Sequence, residues 1–232
     1  MSLRIGVDTG GTFTDICAFD EQTGRLHVRK VSSTPSDPGL AILTGVSEIL
    51  DQIGGREIGE VSYFAHGTTV GTNALLTGGG VRTGLITTRG FRDLLELGRG
   101  RRPDMYDIGV DKPEPFVPRH LRLEVTERVR HTGAIETPLD SDEVRRAVRA
   151  LREEGVESIA VCLLYSYLVD AHEKRIAEII AEEFGEAYVS LSSEVLPEFR
   201  EYERLSTVVT NAYVGPVVFR YLARLREKLA DA

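Results

Sequence analysis

The sequence has few of the features that mark membrane, disulfide-linked or metal-binding proteins. No apolar run in its 232 residues approaches the roughly 20 residues that span a membrane, and Val7-Asp8-Thr9 interrupts the N-terminal apolar stretch, so a signal-peptide shape is absent. Its two cysteines, Cys17 and Cys162, lie inside apolar runs where buried structural thiols are common. The histidines show no metal-ligand spacing with one another or with cysteine. We therefore expect a cytoplasmic protein without a zinc site.

Basic residues are also fewer than acidic ones. Lys and Arg number 28 against 36 Asp and Glu, so the formal net charge is -8. An acidic chain does not hold nucleic acid or anionic lipid by general attraction, so any bound phosphate must be held locally. The chain has no Gly-Lys dipeptide for a Walker loop and no dinucleotide-binding fingerprint after the first strand. It has no Gly-x-Ser-x-Gly sequence either, which argues against an ordinary serine hydrolase.

What the chain does have is the composition of an ordinary globular protein, with 41% hydrophobic and 28% charged residues. Two short apolar strands joined by a tight glycine turn open the sequence. Two capping-box patterns further on, Asp140 with Glu143 and Asp170 with Glu173, predict helices within βα units. The predicted order is strands 3–7, 13–19 and 26–32, helix 38–53, strand 61–65, helix 70–76, strand 83–87, helix 91–97, the two capped helices, and strands 158–163 and 188–191.

Two segments depart from this regular pattern. Residues 98–120 contain several prolines, and we interpret them as an irregular candidate functional loop. Residues 202–229 are predicted to be helical and bent at Gly215-Pro216. The end of this helix carries one apolar face, and no later strand is left for it to cover. We therefore expect a truncated chain in which this face either folds back or pairs two copies as a homodimer. The face consists of Val218, Leu222, Leu225 and Leu229.

The segment richest in chemical groups is Asp8-Thr9-Gly10-Gly11-Thr12-Phe13-Thr14-Asp15. Adjacent glycines let the backbone approach a phosphate and turn successive amides toward it. Threonine hydroxyls supply neutral donors, and a carboxylate at the end of a strand can hold magnesium through water. A plain polar hairpin would explain the glycines alone, but not the glycines, the acid and the threonines together. The segment therefore predicts a phosphate-binding turn.

Three other polar groups have both a functional and a structural interpretation. His66 follows an apolar strand and precedes a helix, where α/β sheets bind ligands, but a lone histidine there is often a satisfied structural residue. The arginines of 99–102 can receive a substrate carboxylate, or they can be neutralised by the aspartates of 104–111. The charge run at 194–204 is either functional or a solvated face.

The phosphate-binding segment resembles the first phosphate motif of the superfamily that contains actin, sugar kinases and heat-shock chaperone ATPases. Three further segments, 66–76, 102–107 and 194–204, are similar to the hydantoinase A and 5-oxoprolinase family. The resemblance implies a ribonuclease H-like (actin-like ATPase) α/β domain with a mixed sheet, an appended βαβ region and a C-terminal helix. It implies an N-terminal domain at 3–191 and the truncated start of a second domain at 192–232.

The same resemblance implies chemistry with ATP and magnesium on a carbonyl. The reaction would be hydrolysis of a cyclic amide through a phosphorylated intermediate, or carboxylation of a ketone, in partnership with a second (B-type) subunit or fused half. The fragment alone is expected to be inactive. A small-metabolite kinase and a non-enzymatic, nucleotide-driven interaction module are alternatives. The implied site has catalytic Asp8 and His66, with magnesium on Asp8 through water; cofactor-binding Thr9, Gly10, Gly11, Thr12, Thr14 and Asp15; and substrate-facing Gly67, Thr68, Thr69, Asn73, Arg99 and Arg102.

Overall fold

The structure is a computed structural model that describes residues 3–34, 37–55, 57–100, 103–107 and 109–230. The chain divides into two compact units. The first unit consists of Met1–Gly79 and Val217–Ala232, and the second consists of Gly80–Pro216. No helix in the described part of the chain is both long and apolar enough to cross a membrane.

The first unit is built on a mixed sheet. Its strands are β1 (Leu3–Thr9), β2 (Phe13–Asp20), β3 (Arg25–Ser32) and β4 (Val61–Thr68). They lie in the order β3-β2-β1-β4. β1 and β3 are antiparallel to β2, whereas β1 and β4 are parallel. The predicted mixed sheet is therefore present, and the carboxyl ends of β1 and β4 lie side by side.

The two faces of this sheet differ. Because side chains alternate along a strand, Leu3, Ile5 and Val7 of β1 are buried on one face, the inner face, while Asp8 points to the opposite, outer face. A single 3-10 turn at Ile58–Glu60 precedes β4. Two helices lie in the N-terminal segment of this unit, α1 (Pro38–Gln52) and α2 (Val70–Thr77). α1 covers the inner face with Ile42, Val46 and Ile49.

The second unit contains a parallel sheet. Its elements are β5 (Thr83–Thr88), α3 (Leu94–Leu97), a 3-10 turn at Arg119–Leu121, β6 (Arg122–Val125), β7 (Arg128–Val129), β8 (Ile135–Thr137), α4 (Ser141–Glu153), β9 (Ser158–Cys162), α5 (Ala171–Glu183), β10 (Tyr188–Leu191) and α6 (Ser192–Val195). The parallel strands lie in the order β10-β9-β5-β6, and β7 pairs with β8. Sequence reasoning missed β6, β7 and β8. The described residues between 98 and 118 form neither strand nor helix, as predicted.

The two predicted capping boxes have different outcomes. The Asp140 carboxylate accepts hydrogen bonds from the Asp142 and Glu143 amides of α4, as expected, but the Glu143 carboxylate accepts the Thr126 amide at 2.6 Å and does not complete the box. The Asp170 side chain makes no capping bond at α5 and pairs with Lys174 at 2.7 Å instead. Glu173 is fully buried and accepts the Leu163 amide at 2.9 Å, so it is not available to complete a cap. The second capping prediction is therefore wrong, although the helix itself is present.

The last helix, α7 (Glu201–Ala230), runs through Pro216 and contributes residues to both units. In the first unit, Tyr221, Leu225 and Leu229 join the core formed by the inner face and α1. Of the two outcomes expected for the apolar face, the structure shows folding back, because Leu225 and Leu229 pack on the sheet of β1. Leu222 points away from this core and is 46% exposed.

The charge run at 194–204 ends in a buried side chain. Arg204 is 1% exposed, and its guanidinium donates to Ser192 Oγ at 2.9 Å and to the Leu163 carbonyl at 2.8 Å. Ser192 Oγ donates in turn to the buried Glu173 carboxylate at 2.7 Å. The solvated-face interpretation is therefore wrong for Arg204, whose guanidinium is hydrogen-bonded inside the second unit and linked through Ser192 to the Glu173 carboxylate.

Both cysteines are free thiols. Cys162 is buried in β9, where loss of hydration raises its pKa to about 12. Cys17 in β2 is partly exposed. The expected buried structural role therefore holds for Cys162 and only partly for Cys17.

Candidate functional site

The glycine turn between β1 and β2 is the centre of the candidate site. Gly10 N donates to the Phe13 carbonyl at 3.0 Å, which closes the turn. Ser33, just after β3, fixes it from the side: its amide donates to the Thr12 carbonyl at 2.9 Å and its hydroxyl to the Gly10 carbonyl at 2.8 Å. Thr14 Oγ1 lies 3.0 Å from Ser33 Oγ, so this buried threonine supports the turn. Sequence reasoning missed Ser33, since no local pattern connects it to the turn.

The start of α2 lies against this turn. Thr69 N donates to the Thr9 carbonyl at 3.2 Å, and Asn73 follows one helical turn later, its amide donating to the Thr69 carbonyl at 2.8 Å. A Cβ on Gly11 would lie 3.2 Å from Asn73 Nδ2. The structure therefore brings the predicted phosphate-binding turn together with two of the predicted substrate residues, and glycine is what permits the close approach.

Asp8 lies on the outer face at the end of β1. It is exposed, and it makes no ion pair with any residue that the structure describes. Gly67 is its partner in β4, where a Cβ would lie 3.2 Å from Asp8 Oδ1. Asp15, on the same face, is neutralised by Lys30 at 2.7 Å. Asp8 is therefore an accessible carboxylate next to the turn.

His66 points the other way. Its neighbour in β1 is Val7, and its Nε2 is joined to the Tyr221 hydroxyl of α7 by a hydrogen bond of 2.5 Å. Burial lowers the pKa of His66 below its usual 6.5, outweighing the Val7 carbonyl and the Asp8 carboxylate, which act to raise it. Its Nδ1 is buried. The two predicted catalytic residues thus point to opposite faces of the sheet.

A cavity of about 450 Å³ opens behind the turn on the inner face, and we call it the inner cavity. Thr9 forms part of its wall and is 2% exposed. Burial raises the pKa of Tyr221, and the Thr68 and Thr9 side chains beside its hydroxyl act to lower it. The cavity draws on four places in the chain: the turn, the residues before and at the start of α1, the start of α2, and one face of α7. Its principal lining residues are Thr9, Gly10, Gly11, Asp37, Thr69, Asn73, Tyr221 and Arg224.

Of the remaining predicted residues, Thr12 and Thr68 lie in or beside the turn, whereas Arg99 and Arg102 are not among the described residues of the first unit. Arg99 belongs to the second unit, where it donates to Glu203 at 2.7 Å and lowers the pKa of that carboxyl. Arg102 lies outside the described residues. Thr12 is exposed at the tip of the turn, and Thr68 Oγ1 accepts the Val70 amide at 3.2 Å.

Comparison with known proteins gives a consistent result. The family model described as the hydantoinase/oxoprolinase N-terminal region matches residues 4–184. The chain is 37% identical to caprolactamase subunit alpha of Pseudomonas jessenii, covering 96% of this chain and 32% of that protein. It is 34% identical to 5-oxoprolinase 1 of Arabidopsis thaliana, covering 99% of this chain and 20% of that protein. The chain thus spans a third or less of the length of these curated relatives.

Two solved structures match nearly the whole chain. The crystal structure of the ATP-dependent caprolactamase from Pseudomonas jessenii aligns with a TM-score of 0.89 at 36% identity, over 98% of this chain and 33% of that one. The nucleotide-free structure of acetone carboxylase, from work on ATP-dependent acetone carboxylation, aligns with a TM-score of 0.88 at 27% identity, over 99% and 34%. The predicted α/β fold class is confirmed.

Proposed function

The chain belongs to the hydantoinase/oxoprolinase family, and we propose that it is the ATP-phosphate-binding part of an enzyme that hydrolyses a small cyclic amide. The observation that carries this proposal is the glycine turn of β1 and β2 beside the accessible Asp8, with the start of α2 against it. The names of two relatives, caprolactamase and 5-oxoprolinase, support the substrate class. The activity is proposed for the whole protein, with residues 3–191 as its N-terminal domain and 192–232 as the start of the next.

The residues of the turn fit a phosphate group. Gly10 and Gly11 present backbone at a point where a side chain would crowd the Phe13 carbonyl or Asn73. Thr12 is exposed beside them and adds a hydroxyl. Neutral donors and close backbone approach are what an acidic chain needs to hold a phosphate locally. Gly10, Gly11 and Thr12 therefore bind the phosphates in this proposal, while Thr14 acts by supporting the turn.

Magnesium fits at Asp8 through water. The described residues contain no cluster of three or more His, Cys, Asp or Glu side chains able to hold a metal ion. Magnesium commonly binds one carboxylate, several waters and substrate phosphates, so a single accessible carboxylate beside a phosphate-binding turn is sufficient. Asp15 is less suited to this role, because Lys30 already neutralises it.

The substrate lies beside the phosphates in this proposal. ATP, when bound, supplies a phosphoryl group that activates the amide oxygen toward hydrolysis. Thr69 and Asn73 present a hydroxyl and an amide next to Gly11, and Gly67 keeps the space beside Asp8 open. His66 has one ring nitrogen bonded to Tyr221 and the other buried. We propose that Thr69 and Asn73 orient the substrate and that His66 contributes indirectly, by holding Tyr221 of α7 on the inner face.

Replacement of Asp8 in the full-length protein tests this function. Asp8→Asn should lower ATP hydrolysis that depends on a cyclic amide by about 10–100-fold, as for other residues that hold a metal indirectly. Asp51→Asn makes the same chemical change on an exposed residue of α1 and serves as the control. A fall in melting temperature large enough to account for the lost activity of Asp8→Asn would mean that Asp8 is structural.

A second candidate, ATP-dependent carboxylation of a ketone, is supported by the match to acetone carboxylase. Product analysis separates the candidates: a ring-opened acid supports the hydrolase, and a carboxylated ketone supports the carboxylase. A phosphorylated metabolite would indicate a kinase, and no substrate change would indicate an interaction module. We propose that the active form includes a second subunit or fused half, which the word subunit in the caprolactamase name supports.

A further inference from the structure

We propose that Tyr221 of α7 is a positioning residue that fixes the glycine turn relative to the start of α2. It acts through Thr9 and Thr68, the last residues of β1 and β4. The inference rests on the proposed function in one respect, because it takes the glycine turn as the phosphate-binding element. It adds a residue that no local pattern connects to the turn, since Tyr221 lies 155 residues beyond His66 in the chain.

Four side chains at the carboxyl ends of β1 and β4 share the inner face. In the register of these parallel strands, Val7 pairs with His66 and Thr9 pairs with Thr68. Residues two apart in a strand point to the same side, so all four lie together. The Tyr221 hydroxyl lies 2.5 Å from His66 Nε2 and is hydrogen-bonded to the Thr68 and Thr9 side chains. One oxygen atom of α7 therefore joins the ends of both strands.

The hydrogen bonds of this group have a defined direction. Thr68 Oγ1 already accepts the Val70 amide at 3.2 Å, so its own proton is free for the Tyr221 oxygen. A phenol hydroxyl is both a donor and an acceptor. With threonine protons directed at its oxygen, Tyr221 donates its proton to His66 Nε2. Burial lowers the pKa of His66 and raises that of Tyr221, so both groups stay neutral near pH 7, as this direction requires.

The Tyr221 hydroxyl is not needed to dock the helix. The buried ring of Tyr221 lies in the same core as Leu225, one helical turn further on, and Leu229 packs against that core. A phenylalanine would keep these apolar contacts. The hydroxyl therefore has a role that can be separated from the packing of α7 on the sheet.

That role is to fix the separation between two parts of the site. Gly10 follows Thr9 directly, and Thr69 follows Thr68. The backbone supplies one link, in which the Thr69 amide donates to the Thr9 carbonyl at 3.2 Å. Tyr221 adds a second link, through the two threonine side chains. The turn and the start of α2 should therefore loosen together when the hydroxyl is removed.

Amide hydrogen exchange of the ¹⁵N-labelled chain, followed by NMR, tests the proposal. In Tyr221→Phe, the hydrogen-bonded amides of Gly10 and Thr69 should exchange about three- to tenfold faster. Amides in the pairing of β2 with β3 should change less than about twofold. Tyr213→Phe makes the same change on another buried tyrosine of α7, one whose hydroxyl has no described hydrogen bond, and should leave Gly10 and Thr69 within about twofold.

Two results would overturn the proposal. One is unchanged exchange at Gly10 and Thr69 in Tyr221→Phe. The other is equal acceleration at the turn and in the pairing of β2 with β3, which would show a general loss of stability. Thr9→Val removes a partner of the tyrosine instead and gives a reading even if Tyr221→Phe folds poorly. The double variant should exchange more slowly than the product of the two single effects predicts, because both changes break the same bond; a simple product would also contradict the proposal.

Titration of the full-length protein with magnesium-ATP separates this inference from the proposed function. Tyr221→Phe should weaken binding about three- to tenfold, and Tyr213→Phe less than about twofold. No binding by the unmodified protein refutes the proposed function, while the exchange rates still decide whether Tyr221 holds the turn. Binding that is lost in Asp8→Asn but unchanged in Tyr221→Phe refutes only the inference.

Discussion

Replacement of Arg204 by methionine should destabilise the second unit strongly. Arg204 is 1% exposed, and its guanidinium donates to the Leu163 carbonyl at 2.8 Å, to Ser192 Oγ at 2.9 Å and to Ser166 Oγ. Ser192 bridges it to Glu173, which is fully buried. Methionine fills similar space but donates no hydrogen bond. The variant would therefore leave the Glu173 carboxylate buried without its compensating positive charge.

The magnitude follows from the buried carboxylate that remains. Ser192 lies between Arg204 and Glu173, so the loss of about 3–5 kcal/mol that follows when one partner of a direct buried ion pair is removed is the upper range here. For a chain of this size, that loss corresponds to a fall in melting temperature of about 6–20 °C. Arg146→Met, the same change at an exposed position of α4, should alter stability by no more than about 0.5 kcal/mol.

Urea unfolding followed by circular dichroism measures both variants. Adding Glu173→Gln to Arg204→Met should cost less than the sum of the two single changes, because the glutamine no longer carries the buried charge. A loss below about 1 kcal/mol for Arg204→Met, or strict additivity in the double variant, would refute the reasoning. Either result would mean that Arg204 and Glu173 do not compensate one another in the folded chain.

Two further predictions concern the first unit. Because burial lowers the pKa of His66, the unfolded chain binds a proton below about pH 6.5 that the folded chain resists. The free energy of unfolding should therefore fall as the pH drops from 7.5 to 5.5. Urea titrations at the two pH values should show a smaller fall for His66→Gln. An unchanged pH dependence in His66→Gln would contradict this assignment. Leu225→Ala should lower the free energy of unfolding by about 2–5 kcal/mol, because Leu225 is buried against the sheet. Leu222→Ala, on the exposed side of α7, should lower it by less than about 1 kcal/mol. Similar destabilisation of the two variants in thermal melts would show that α7 does not pack on the inner face.

The parts of the fold that sequence reasoning predicted are those with local signals. The hairpin of β1 and β2 alternates buried and exposed residues around two glycines, and its strands are present at the predicted positions. The same reasoning failed at β6, where the alternation of Leu121, Leu123 and Val125 is a signal that it did not use. Short strands at the edge of a sheet carry few residues, so their pattern is easily overlooked.

The sequence left two outcomes for the apolar face of α7, folding back or pairing between copies, and could not choose between them because the cause is tertiary. Leu225 and β1 are more than 200 residues apart in sequence, and nothing local shows that they pack together. The burial of Arg204 has the same explanation. Its charge run has the composition of a solvated helix face, and its compensating groups come from Leu163, Ser166 and Ser192. The glycine turn, Thr69 and Asn73 were predicted together, but not the contributions of Ser33 and Tyr221, nor the division of the residues between two faces.

That division has a consequence for how one turn can serve a cation and a phosphate, which carry opposite charges. The Asp8 carboxylate on the outer face can attract the cation, while Gly10 and Gly11 of the turn present backbone to the phosphate. A carboxylate on the same face as the accessible backbone would repel the phosphate directly. Strand alternation separates the two charges without lengthening the chain, and Gly10 and Gly11 leave backbone accessible where the two sides meet. The sequence Asp-Thr-Gly-Gly therefore sets the charge arrangement of the site as well as the shape of its turn.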